Sequence, residues 1–145
     1  MKDTDLQRFL DAQEGSYDQA LAEIRGGRKR SHWVWYIFPQ IIGLGMSSMA
    51  QHYPIKDLQE ARDYLSQPVL RKRLMEISMA LLKLESNDPR AVMGYPDDLK
   101  LRSCMTLFMA AEPDNRVFQK VLDKFFEGRT DRRTEEILRG QERGA

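Results

Sequence analysis

The sequence predicts an all-α fold: a compact single-domain orthogonal bundle of about six to eight helices, several of them short. Three observations carry that expectation. Apolar residues recur at helical spacing along most of the chain, as in Leu70, Leu74, Ile77, Leu81 and Leu84. Glycines, prolines and cap residues punctuate those stripes at short intervals. Strand-like runs are nearly missing, residues 31–38 being the exception.

The elements follow in chain order. Leu6, Phe9, Leu10 and Gln13 mark a first short helix, with Asp or Thr available as its cap, and Gly15 breaks it. Ser16-Tyr17-Asp18-Gln19 reads as a capping box ahead of Tyr17, Ala20, Leu21 and Ile24. Gly26-Gly27 stops that helix, and the tight link predicts an αα-hairpin. Residues 31–38 are rich in strand formers, but a strand there would show apolar residues on both faces with few others to pair with. A short helix or turn ended by Pro39 is the better reading. Gly43 and Gly45 make an irregular link. Ser47 or Ser48 caps a short helix that ends near Pro54. Asp57-Leu58-Gln59-Glu60 is a second capping-box pattern, with Leu58, Ala61, Tyr64 and Leu65 inward.

Pro68 suits the first position of a long helix over 68–85. Asn87-Asp88-Pro89 opens one helical turn that Gly94 closes. Asp97 and Asp98 favour the positive end of a helix over 97–111. There Leu101, Met105 and Phe108 form an apolar stripe, and Asp97, Lys100 and Ser103 a polar one. Asp114 is expected to cap a helix carrying Val117, Phe118, Val121, Leu122 and Phe125, with Gly128 past its end. Thr130 or Asp131 opens a last short helix around Ile137 and Leu138, and residues 139–145 are expected to fray. Residues 1–145 thus form one helical domain, with the 68–85 and 97–111 helices at its centre.

Bulk properties narrow the class. The 145 residues are 41% hydrophobic and 31% charged, with a formal net charge of +1. That balance argues against general nucleic-acid or anionic-membrane binding. One cysteine, Cys104, forbids an internal disulfide and fits a reducing compartment. The acidic N-terminus lacks a signal peptide's apolar run, so the expected location is cytoplasmic. No apolar run is long enough to span a membrane. His32, His52 and Cys104 fall at no metal-ligand spacing, so no metal site is expected. The sequence names no cofactor and leaves the oligomeric state open.

Three constellations could carry chemistry. In SHWVWYIFPQ, His32 enters an apolar block beside Trp33, Trp35, Tyr36 and Phe38, and Gln40 leaves it. The plain reading is core packing. The functional reading is a wall on which a planar ring stacks, Trp33 or Trp35, with Gln40 as hydrogen-bonding partner and His32 as acid–base group. Gly43-Leu44-Gly45 lacks the third glycine of a dinucleotide fingerprint, because Ser48 stands there. Gly45, Ser47 and Ser48 could still offer backbone amides to an anion, or simply form a tight bend. Lys100, between Asp97 and Ser103 on one helix face, could bind phosphate or polarise a carbonyl, or be a solvated pair. The basic groups Arg28-Lys29-Arg30 and Arg71-Lys72-Arg73 would steer phosphate if both rimmed one pocket.

RFLDAQ, SHWVWYIFPQ, EARDYL, PVLRKRL, DDLKLRSCMTLF and VLDKFFEGR follow one another along about Arg8 to Leu138. In this order they resemble a small bacterial family of unknown function whose members often carry a calpastatin label. The resemblance implies a compact, mainly α-helical single domain and brings no established activity. Cys104 departs from the serine expected there, which argues against a nucleophile at that position. A shorter likeness links MTLF and VLDKFFEGR to small helical families that process ADP-ribosyl or riboflavin-precursor N-glycosides.

The expected function is therefore a soluble binding protein or enzyme for a nucleotide-like or phosphorylated small molecule, in the N-glycoside or ADP-ribose class. His32 and Lys100 are its catalytic candidates. Trp33, Trp35, Gln40, Gly45, Ser47, Ser48, Asp97 and Ser103 are its ligand-binding candidates. The alternative is a non-catalytic helical interaction module with an aromatic groove.

Overall fold

The computed structural model describes residues 6–44 and 53–144. The described residues form nine helices and one isolated bridge. The hairpin is α1 (Gln7–Glu14) and α2 (Tyr17–Arg25), and α3 (Val34–Ile37) is a single turn. Then come α4 (Leu58–Ser66), α5 (Pro68–Leu82) and the short α6 (Pro89–Met93). The chain closes with α7 (Asp97–Ala111), α8 (Arg116–Phe126) and α9 (Arg132–Gly144). Counting α3 and α6 as helices takes the number just past the expected range. The helix expected from Ser47 or Ser48 lies outside the described residues, as do the Asp and Thr proposed to cap α1.

Local chemistry explains most boundaries. The Asp57 carboxylate accepts from the Glu60 amide at 2.8 Å and starts α4. Gln67 caps α5 through the Leu70 amide, with Pro68 in the first turn. Asp88 caps α6, and Gly94 ends it at φ 82°, a conformation that favours glycine. Glu127 at φ 55° and Gly128 at φ 77° terminate α8.

Two caps differ from expectation. Ser16 precedes α2 without capping it, because its hydroxyl donates to the Ala12 carbonyl at 2.8 Å. Gln19 bonds Glu23 and Ser31 instead of closing a capping box. Asn115, not Asp114, caps α8 by accepting from the Val117 amide. At the C-terminus α9 runs on to Gly144, where fraying is expected, and Gln141 donates to the Lys56 carbonyl at 2.8 Å.

The two long helices are central. α7 packs against α3, α4, α6, α8 and α9, and α5 packs against α1, α2, α4 and α8. α7 is buried well beyond one stripe: Leu101, Ser103, Cys104, Met105, Thr106, Leu107 and Phe108 are all enclosed. Its polar members are satisfied locally. Ser103 and Thr106 donate back to the Leu99 and Arg102 carbonyls, and Thr106 accepts from the Asp131 amide at 2.8 Å. The Ile41–Ile55 bridge ties the end of the aromatic stretch to the start of α4, with Ile55 N–H donating to the Gln40 carbonyl. Among the described residues no helix is long and apolar enough to cross a membrane.

Candidate functional site

The aromatic stretch is fixed by a single carboxylate on α2. Glu23 accepts from the Arg30 and Ser31 amides at 2.8 and 3.0 Å, and from the Ser31 hydroxyl at 2.7 Å. It also accepts from the Trp33 indole N–H at 2.9 Å and from Gln19. Partial burial pushes the Glu23 carboxyl up, but these hydrogen bonds outweigh it and hold the group down at about 2. The link after the hairpin is thereby folded back, and Trp33 turns into the core at 1% exposure.

That placement corrects one expectation. Trp33 cannot be the wall on which a ring stacks, and Trp35 is not the fully buried ring of the pair. Trp35 lies two residues further on, inside the turn of α3, and stays half-buried at the edge of the core. Val34, Ile37 and Phe38 point inward with Trp33.

Charge gathers beside these indoles. Lys29 Nζ lies 2.7 Å from Asp97 Oδ2 and 5.1 Å from the Trp33 ring centroid, its side chain only 6% exposed. The Lys29 amide donates to the Val92 carbonyl at 2.7 Å, pinning the link against the end of α6. Lys100 Nζ lies 3.3 Å from Asp97 Oδ1 and 6.0 Å from the Trp35 ring centroid, its side chain 25% exposed. One carboxylate is thus shared by two ammonium groups, each over an indole face. The Trp35 indole N–H is buried with no acceptor among the described residues, and one oxygen of the buried Asp98 lacks a donor.

The other candidates divide. Ser103 is buried and committed, its hydroxyl 3.1 Å from Asp131 Oδ2, in a cluster where Thr134 and Arg102 also face Asp131. Its hydroxyl is already engaged within the fold, by the Leu99 carbonyl and Asp131. Gln40 is half-buried, with its backbone used in the bridge. His32 is exposed, and its imidazole makes no hydrogen bond among the described residues; only its carbonyl is engaged, by the Tyr36 hydroxyl at 3.4 Å. Gly45, Ser47 and Ser48 lie outside the described residues. The structure therefore brings together Trp35, Asp97 and Lys100, and among the described residues no hydrogen bond or ring contact joins His32 to Lys100.

Sequence reasoning missed the parts of Lys29 and Glu23. Lys29 sits in a basic triplet that reads as solvated surface, and no local spacing ties it to Asp97. The two basic groups are engaged differently. Arg28 and Lys29 line one cavity with Arg90, whereas Arg71 pairs with Glu112 at 2.9 Å and Arg73 lies over Tyr17. Cys104 is fully enclosed, and burial pushes its thiol up, which disfavours the thiolate. Among the described residues no group of three or more His, Cys, Asp or Glu side chains is arranged to hold a metal ion.

The fold and this edge define a small, single-domain, all-α protein with an excess of positive charge beside an aromatic rim. Residues 3–138 match the family described as "Protein of unknown function (DUF1810)", and the chain belongs to that family. It is similar to the crystal structure of the conserved hypothetical protein Rv1873 from Mycobacterium tuberculosis. The two share 43% identity over 93% of this chain and 96% of that one, with a TM-score of 0.91. No curated protein matches.

Proposed function

We propose that the protein binds a nucleotide-like or phosphorylated small molecule at the edge formed by Trp35, Asp97 and Lys100. The observation that carries this reading is the charge imbalance: two ammonium groups, one nearly buried, share the Asp97 carboxylate. A half-buried cation without a full counter-charge is costly, and an anionic group on the ligand supplies what is missing. The indole itself offers a surface for a planar ring.

Binding is favoured ahead of catalysis. His32 remains the acid–base candidate, but it is supported by its place in the sequence and by its exposure alone. The N-glycoside and ADP-ribose branch rests on sequence likeness. The interaction-module reading gains less. The groove beside α5, about 490 Å³, is lined by Met75, Met79, Ala80 and Leu84 with charged neighbours and holds no aromatic ring.

A thermal-shift screen against nucleotides, NAD, ADP-ribose and sugar phosphates tests the proposal. A ligand at about 100 times its dissociation constant stabilises the fold by about 2.7 kcal/mol. Lys100→Ala should remove that stabilisation while leaving the unliganded melting temperature nearly unchanged. A hit that persists undiminished in Lys100→Ala would place the ligand elsewhere.

A further inference from the structure

A second cavity opens next to the charged edge and has no assigned role. It is about 480 Å³ and is lined by Gly27, Arg28, Lys29, Arg90, Ala91 and Gly94. Its two walls are the link after α2 and the end of α6, held together by the Lys29–Val92 backbone bond at 2.7 Å. Gly27 at φ 89° and Gly94 at φ 82° make the bends that shape it. A Cβ at either glycine would meet no other atom within 4 Å, so these residues serve the backbone conformation and not a close approach.

The lining carries three cations and no carboxylate. The Lys29 charge is taken up by Asp97. The Arg28 and Arg90 side chains are exposed and pair with no carboxylate among the described residues; the Arg90 guanidinium rests 4.6 Å from the Tyr95 ring centroid. Stacking of this kind holds a guanidinium in place while leaving its N–H edge free to bind. Two guanidinium groups lining one small cavity suit the oxygens of a phosphate chain, which guanidinium recognises in bidentate fashion.

We infer that this cavity seats a diphosphate group, through Arg28 and Arg90. The inference deepens the proposal above and rests on it only for the rest of the ligand. Asp97 links the two places, touching Lys29 at the cavity and Lys100 at the Trp35 edge. A ligand with its ring at Trp35 and its diphosphate at Arg28 and Arg90 would lie along that line. Two unspent guanidinium charges match the two negative charges of a diphosphate diester.

Isothermal titration of the full chain with inorganic pyrophosphate, with inorganic phosphate alongside, tests the seat. Saturable binding of pyrophosphate, tighter than phosphate, is expected. The paired variant Arg28→Gln and Arg90→Gln should weaken it by at least about tenfold. Arg62→Gln, an exposed arginine on α4, should leave it unchanged. Both sets change exposed side chains only, and matching melting temperatures confirm that each variant is folded. No saturable binding overturns the inference, and so does equal weakening by Arg62→Gln, which would mean diffuse charge attraction. Trp35→Leu separates the two claims. Nucleotide binding undiminished in Trp35→Leu, or pyrophosphate binding by a wild type that takes no nucleotide, sinks the Trp35 edge and leaves the seat standing. Nucleotide binding without pyrophosphate binding sinks the seat alone.

Discussion

Glu23 decides which tryptophan faces inward. Its carboxylate collects the Trp33 indole and two successive backbone amides, so the chain enters α3 with Trp33 already committed to the core. Trp35, within the turn of α3, stays half-buried at the rim. The same logic places His32, one residue before the anchored ring, in solvent. The energetic consequences differ sharply. Trp33→Ala should cost about 3–5 kcal/mol, as loss of a buried aromatic does. His32→Ala should stay within about 0.5 kcal/mol of the wild type. Denaturant melts read both, and a large loss in His32→Ala would mean that the histidine belongs to the packing and not to a site. The sequence could show that this stretch mixes core and rim. It could not show which ring did which, because the deciding partner lies on another helix.

Helix periodicity made α2, α4, α5 and α8 readable, because each has one apolar face and a solvated one. In α8, Phe118, Val121, Leu122 and Phe125 fall on the buried face as their spacing requires. Phe118 is fully buried, 6.0 Å from the Phe108 ring centroid, so Phe118→Ala should destabilise the protein by about 3–5 kcal/mol in urea unfolding. A loss under about 1 kcal/mol would mean that α8 does not cover α7. The reading of α7 itself was only half legible. Its Asp97–Lys100–Ser103 stripe looks amphipathic on paper, yet α9 covers the Ser103 end and leaves the Lys100 end open. Periodicity reports one helix at a time and cannot see a later helix folding over a polar face. Caps were mixed for a related reason: Gln19 bonds Glu23 one turn further along α2 and Ser31 in the link beyond, and not the first turn of its helix.

Over the whole molecule, the fold class followed from pattern, and the candidate site followed only in part. Trp35, Asp97 and Lys100 were nameable because each sits in a block unusual in its own right. Lys29, Arg28 and Arg90 join them through contacts between distant segments, which no single stretch of sequence encodes. Net charge was equally silent. A chain of formal charge +1 has no global bias, yet three cations converge on one cavity and a fourth lies beside it. Local imbalance of this kind arises from folding and is where a small anionic ligand would be held.

Intrinsic tryptophan fluorescence reports on that edge directly, because Trp33 is sealed in the core and Trp35 is the only other tryptophan. Titrating the wild type with AMP and with ADP-ribose should give a saturable change in emission with at least one of them. Trp35→Phe, which keeps Trp33 as its sole indole, should lose that change while retaining a folded spectrum. An identical saturable change in Trp35→Phe, or no saturable change with either ligand in the wild type, would contradict a ligand seated at Trp35 and Lys100.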